Sequence, residues 1–297
     1  MPSERNVAEL SSAAKTVGLR AEPVELTLAH SPDSDDAFMF YALATKKIRS
    51  SRLKFKHVLE DIESLNRKAQ EGVYDLTAIS FHAYAHVADT YSLLPCGASF
   101  GERYGPLVVA RTKLRDGLKG KRVAVPGKLT TANLVLEIYE PAVEKLVLPF
   151  DKVMDAVLQG EADAGVIIHE GQLTYSGTGL RKFVDLGEWW HNETGLPLPL
   201  GGNAVRRSLG APTIRETADL LRASIQYGLE HREEALRYAL EFSRGLDTPT
   251  VDRFVTMYVN ERTLDYGEDG RRAVQALLDR GYEKGLIPHH VQAEFAE

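Results

Sequence analysis

Two stretches of this chain repeat one pattern, and that pattern restricts the fold more than any other feature. Asp61-Ile62-x-x-Leu65, followed by Gly72-x-x-Asp75-x-x-x-Ile79-Ser80, runs parallel to Asp151-x-Val153-x-x-Ala156, followed by Gly160-x-x-Asp163-x-x-x-Ile167-Ile168-His169. Each reads as a helix, a tight turn and a buried strand that ends in polar residues. The glycine can close its helix in the left-handed region, and the aspartate can bond local backbone N–H groups in the turn. A duplicated helix–turn–strand unit predicts two similar lobes.

The rest of the chain fits that expectation. Strands are predicted at residues 24–31 (VELTLAHS), 53–61, 74–80, 91–94 and 106–110, with helices at 35–45, 62–71 and 81–89 between them. A second series starts at 122 (RVAVPG), with helices at 131–139 and 152–159 and strands at 146–149 and 164–169 (AGVIIH). Beyond Gly210-Ala211-Pro212 the pattern is almost wholly helical. Strands that alternate with helices imply βαβ units and parallel sheets, hence an α/β fold. The expected division is a loosely ordered extension at 1–22, a first lobe of 23–110 plus 203–297, and a second lobe of 111–202. The Pro-rich segment 194–201 and the region around Arg111 are the expected crossings between lobes.

Composition excludes several function classes. Over 297 residues the chain is 43% hydrophobic and 26% charged, with a formal net charge of −6. Its basic residues are scattered, so no nucleic-acid partner is expected. No apolar run reaches the length of a membrane span. The polar, charged N-terminus lacks the apolar core of a secretory signal, so a cytoplasmic location is expected. Cys96 is the single cysteine, so no disulfide can form within the chain, and Leu93-Leu94-Pro95-Cys96-Gly97 reads as a packed thiol at a strand end. A homodimer is one assembly such a chain could form.

Ligands of open α/β sheets bind outside the carboxyl ends of strands. That rule selects Ser31 with the loop to Asp36, Ser80 with Phe81 and His82, the loop 127–131, and His169 with Glu170. His169 can accept a proton near neutral pH, and Glu170 can orient it or raise its pKa. The alternative is a hydrogen-bonded structural histidine. Thr130 or Thr131 can cap the following helix, and the free N–H groups there suit a carboxylate or phosphate. Gly127-Lys128 lacks the frame of a Walker loop. In the acidic run 33–36, Ser34 or Asp35 can cap a helix, or the acids can meet ligand hydroxyls or a cation. No glycine and closing glutamate follow in calcium-loop register, so no metal site is expected. Trp189-Trp190 is better read as lobe packing than as a ring-binding wall.

These residues resemble a known family. GVIIHEGQLTY, followed by VDLGEWWHNETGLPLPLG, is similar to the 1,4-dihydroxy-6-naphthoate synthases of the futalosine route to menaquinone. The likeness extends to LEDIESLNRKAQEG, YGPLVVAR and VAVPGKLTTA, and covers most of residues 24–202. It implies a two-lobed, periplasmic-binding-protein-like fold of type II with the ligand cleft between the lobes. It also implies a lyase that needs no cofactor and converts cyclic dehypoxanthine futalosine to the dihydroxynaphthoate. By motif position His169 is the implied proton acceptor, and Ala78, Ile79, Ser80, Thr130 and Thr131 are the implied substrate contacts. The implied substrate carries a carboxylate and hydroxyls. Two departures stand out. The family opens with Ser-Pro-Cys-Pro-Asn-Asp-Thr-Phe where this chain has Ser31-Pro32-Asp33-Ser34-Asp35-Asp36-Ala37-Phe38, and it has a lysine where this chain has Ala78. Added acid and a lost cation make the site less hospitable to an anion. They favour the alternative of a non-catalytic small-molecule-binding protein, or of a related enzyme with another substrate.

Overall fold

The structure, a computed structural model, describes residues 22–296. The expected N-terminal extension, apart from Glu22, lies outside the described residues. In chain order the strands are β1 (Val24–His30), β2 (Leu53–Leu59), β3 (Leu76–Ser80), β4 (Tyr91–Leu93), β5 (Ser99–Gly101), β6 (Leu107–Ala110), β7 (Arg122–Val125), β8 (Glu144–Val147), β9 (Ala164–Ile167), β10 (Arg181–Asp185) and β11 (Leu198–Arg206). They form two sheets. One has the order β2-β1-β3-β11-β4, with β5 also on β11, and the other has β10-β6-β9-β7-β8.

The duplication read from the sequence is present in space. The quartet β2-β1-β3-β11 matches β8-β7-β9-β6, and in both the first three strands are parallel and the fourth antiparallel. Both sheets are therefore mixed, where parallel sheets were expected. The antiparallel strand arrives from the other lobe, a pairing that local periodicity does not reveal. Gly72 and Gly160 both hold positive φ, +64° and +82°. The two turn aspartates do something other than bond their own turns. Asp75 accepts from Thr27 N at 2.9 Å and Thr27 Oγ1 at 2.8 Å, and Asp163 accepts from Arg122 N at 2.9 Å. Each laces the strand after its turn to the preceding parallel strand.

The lobe boundaries differ from the expected ones. Leu107–Ala110, expected in the first lobe, lies in the middle of the second sheet between β9 and β10. β11, expected to start the first lobe's return at 203, joins the first sheet from Leu198. The crossings therefore fall at 102–106, not around Arg111, and at 195–197. A run of four buried apolar residues fits either sheet by composition, and only long-range pairing assigns it. Two glycines permit the close approach at the first crossing: a Cβ on Gly101 would sit 1.8 Å from the Tyr104 carbonyl oxygen, and one on Gly187 1.9 Å from it.

The helix that carries the tryptophan pair went unread. The helix Leu186–Thr194 is capped by Asp185, whose side chain accepts from Gly187 N and Glu188 N, and ends at Gly195 in the left-handed region. Within it Trp190 is fully buried, and its Nε1 donates to the Pro197 carbonyl at 3.1 Å. Trp189 meets Tyr139 edge-on at 5.2 Å. The pair is packing. The expected helix at 81–89 is a single turn, Phe81–Tyr84. The helical tail packs chiefly on the first lobe, where Ala211–Glu230, Arg232–Leu240 and Thr248–Tyr258 cover the helix Ser34–Ala44. Buried Cys96 donates to the Ala218 carbonyl at 3.5 Å, and burial pushes its thiol up to about 12, as suits a packed residue. No helix among the described residues is long and apolar enough to cross a membrane.

Candidate active site

The loops after β1, β3, β7 and β9 converge on one cleft between the lobes, of about 830 Å³ counted out to its solvent mouth. Ser31, Asp36, Ala78, Ile79, Ser80, Thr130 and Thr131 all line it. Asp33 and Asp35 of the acidic run line it as well, and Gln172 and Tyr258 join them from outside the expected set. Among the described residues, no Lys or Arg side chain lines this cleft.

The first lobe supplies an acidic wall. Ser31 N donates to Asp36 Oδ2 at 2.7 Å, and Ser31 Oγ donates to Asp33 Oδ2 at 2.6 Å. Asp33 occupies the N-cap position of the helix Ser34–Ala44, yet its side chain makes no capping bond. The expected caps, Ser34 and Asp35, lie within the first turn instead. Burial pushes the Asp36 carboxyl up to about 7, with Asp33 adding repulsion and the Ser31 N–H opposing it. Asp35 is pushed well above the carboxylate range by burial and then by Asp36, Asp33 and Glu170. Ser80 is held by Asn66, which donates to Ser80 Oγ at 3.0 Å and accepts from Ser80 N at 2.9 Å. Asn66 was missed because an asparagine on a helix's inner face carries no distinctive spacing.

The second lobe supplies a hydroxyl wall. Thr130 caps the helix Thr131–Tyr139, accepting from Asn133 N at 3.2 Å and donating to the Gly127 carbonyl at 3.0 Å. Thr131 accepts from His82 N at 3.3 Å. Two of the loop's N–H groups are taken. Glu63 of the first lobe accepts from Lys128 N and Leu129 N, both at 3.0 Å. A carboxylate does sit on this helix start, as its chemistry predicts, but it is the protein's own.

His169 stands half-buried at the end of β9, beside the cleft lining rather than on it. Its Nδ1 accepts from Gly171 N at 3.0 Å, so the neutral ring carries its proton on Nε2. The ring meets Phe150 edge-on at 5.5 Å. Burial holds its pKa below the usual histidine value; Asp33 and Asp151 oppose that shift and Arg244 adds to it. Glu170 is 2% exposed and faces the other lobe, where Ser34 Oγ donates to it at 2.7 Å and Arg244 Nη1 at 3.2 Å. It does not hold the His169 ring, as one reading had it. Tyr258 of the tail donates to Gln172 at 2.7 Å across the same gap. The lobes are thus closed on each other by polar contacts from both sides. Arg244 and Tyr258 were missed because they lie in the tail, far along the chain from the loops they meet.

A cleft closed between two such lobes defines the class: a two-lobed protein of the periplasmic-binding-protein type. At the level of fold it is similar to the alkanesulfonate-binding protein SsuA of Xanthomonas axonopodis pv. citri, with a TM-score of 0.67, 18% identity, and 92% of this chain and 97% of that one covered. The chain belongs to the menaquinone biosynthesis family, whose profile matches residues 26–283. It is 44% identical to the 1,4-dihydroxy-6-naphthoate synthase of Thermus thermophilus, over 88% of this chain and 95% of that protein. It is 39% identical to the protein of the same name from Streptomyces coelicolor, over 89% and 95%. A crystal structure of a protein from Archaeoglobus fulgidus matches at 47% identity and a TM-score of 0.86, covering 89% of this chain and 98% of that one.

Proposed function

We propose that this chain is a 1,4-dihydroxy-6-naphthoate synthase, a lyase acting on cyclic dehypoxanthine futalosine without a cofactor. The observation that carries the reading is the convergence of Ser80, Thr130, Thr131 and the His169 loop on one closed cleft, in a chain so similar to proteins of that name. Ser80, Thr130 and Thr131 would bind the substrate carboxylate and hydroxyls. His169 would remove a proton to start carbon–carbon cleavage, taking it on Nδ1 once the ring leaves the Gly171 N–H. Its depressed pKa keeps the ring neutral, and so able to accept, at neutral pH. Closure excludes water while positioning and fixed dipoles supply most of the acceleration. With no Lys or Arg on the lining among the described residues, the acidic wall is compatible with an anionic substrate only where its carboxyls carry protons or meet ligand hydroxyls.

Turnover of cyclic dehypoxanthine futalosine, followed by mass spectrometry with wild type and His169→Ala, tests this. Product from wild type alone is expected. A folded wild-type protein that makes no product would overturn the reading. It would favour the second one, binding of another small molecule, which the acidic wall and Ala78 support.

A further inference from the structure

Arg244 lies in the tail loop between the helices Arg232–Leu240 and Thr248–Tyr258, and nothing in its local sequence marks it. Its backbone holds φ +55°, a conformation that costs a non-glycine residue energy and persists where surrounding contacts over-determine it. Those contacts reach three parts of the molecule. Nη2 donates to Asp33 Oδ1 at 2.5 Å in the first lobe, and Nη1 donates to Glu170 Oε2 at 3.2 Å in the second. The guanidinium also lies 4.7 Å over the centroid of Phe150, in the second lobe, whose ring in turn packs edge-on against His169.

We propose that Arg244 is a positioning residue: it clasps the two lobes beside the cleft and, through Phe150, Asp33 and Glu170, fixes the surroundings of His169. A planar fork suits this task, because one side chain satisfies two carboxylates and still presents a face to an aromatic ring. The charged groups facing His169 are Asp33 from the loop after β1, Asp151 from the turn after β8, and Arg244 from the tail, with Glu170 next to it in the chain. Asp33 and Asp151 favour the imidazolium and Arg244 disfavours it. The clasp therefore couples closure to the protonation state of the ring. It deepens the lyase reading, and only its kinetic test rests on that reading.

The test uses the whole chain with Arg244→Ala, Arg244→Lys and Asp33→Asn. Small-angle scattering reads lobe separation, and NMR of the histidine Cε1 protons reads the titration of His169. Arg244→Ala should open the lobes and move the His169 titration to higher pH. Arg244→Lys keeps the charge without the fork, so it should open the lobes and move the titration upward by less than Arg244→Ala does. Asp33→Asn should loosen closure too but move the titration to lower pH, and it serves on its own if the Arg244 variants fail to fold. These opposite signs are not expected of a contact that only stabilises the fold. In turnover, Arg244→Ala should lose about ten- to a hundredfold in kcat/KM, chiefly in kcat, the range expected for lost charge-assisted hydrogen bonds. Unchanged scattering and an unmoved titration in Arg244→Ala, or in Asp33→Asn, would overturn the proposal. If wild type itself makes no product, the lyase reading fails, and the scattering and NMR results still decide the clasp.

Discussion

The helix that follows β1 and the helix that follows β7 occupy matching places in the two lobes and point their N-termini at one cleft, yet they carry opposite chemistry. The first opens on Asp33-Ser34-Asp35-Asp36 and the second on Thr130-Thr131. Both helix starts present partial positive charge. In the first lobe the chain's own acids meet it, and burial, with repulsion from Asp33 added, raises Asp36 to about 7. In the second lobe the capping groups are neutral, and the carboxylate that reaches the loop, Glu63, comes from across the cleft. One architecture thus makes two walls: one donates or accepts protons near neutral pH, and the other presents hydroxyls and does not titrate. A ligand lying between them meets a built-in polarity that symmetry of the fold alone would not produce.

The sharpest way to break this comparison is at the strand ends. His169 lies two residues beyond the end of β9, and Ser80 ends β3 in the other lobe; only the former can act as a base. His169→Ala should lower turnover by about 10²–10⁴-fold, whereas Ser80→Ala should act mainly on KM. Equal losses of kcat in both variants would mean that the ring is not the proton acceptor. The next largest effect concerns the matched aspartate laces. Asp75 makes two bonds to Thr27 in a partly buried position, and Asp163 makes one in an exposed one. Asp75→Ala should cost about 2–3 kcal/mol in urea unfolding and Asp163→Ala about 1 kcal/mol. Equal costs would show that the two turns are energetically equivalent.

The walls themselves are separated by pH. A carboxyl raised in the folded state binds more protons folded than unfolded, so its contribution to stability is present below the unfolded pKa of about 4. It is lost as pH rises through the folded value, about 7 for Asp36. Stability should therefore decline between about pH 4 and pH 7. Asp36→Asn should flatten that decline, as a series of urea titrations at stepped pH would show. Thr130→Ala, at the matching helix start, should cost about 1 kcal/mol at every pH in that window. A pH-dependent cost there would show that the second wall is coupled to the first.

Much of the site was legible because it lies at strand ends within short, patterned segments. Ser31, Ile79, Ser80, Thr130 and Thr131 reach the cleft from loops whose positions follow from βαβ alternation. His169 stands at its expected strand end but turns its acceptor nitrogen to Gly171 and lies beside the lining. That orientation depends on Phe150 and on the N–H two residues later, contacts that strand spacing does not specify. Glu170 was read as a partner for the ring, and instead it crosses to Ser34 and Arg244.

The sequence by itself determined the duplicated helix–turn–strand unit, the α/β class, the four cleft loops and the family resemblance, because each rests on periodicity or on residues close together in the chain. Tertiary structure decided the rest. It placed β6 in the second sheet and β11 in the first, set Glu63 on the N–H groups of Lys128 and Leu129, and brought Arg244 to Asp33 and Glu170. Those are contacts between residues tens to hundreds of positions apart. Their energies depend on burial and on which charges share a low-dielectric space, and neither exists until the chain has closed on itself.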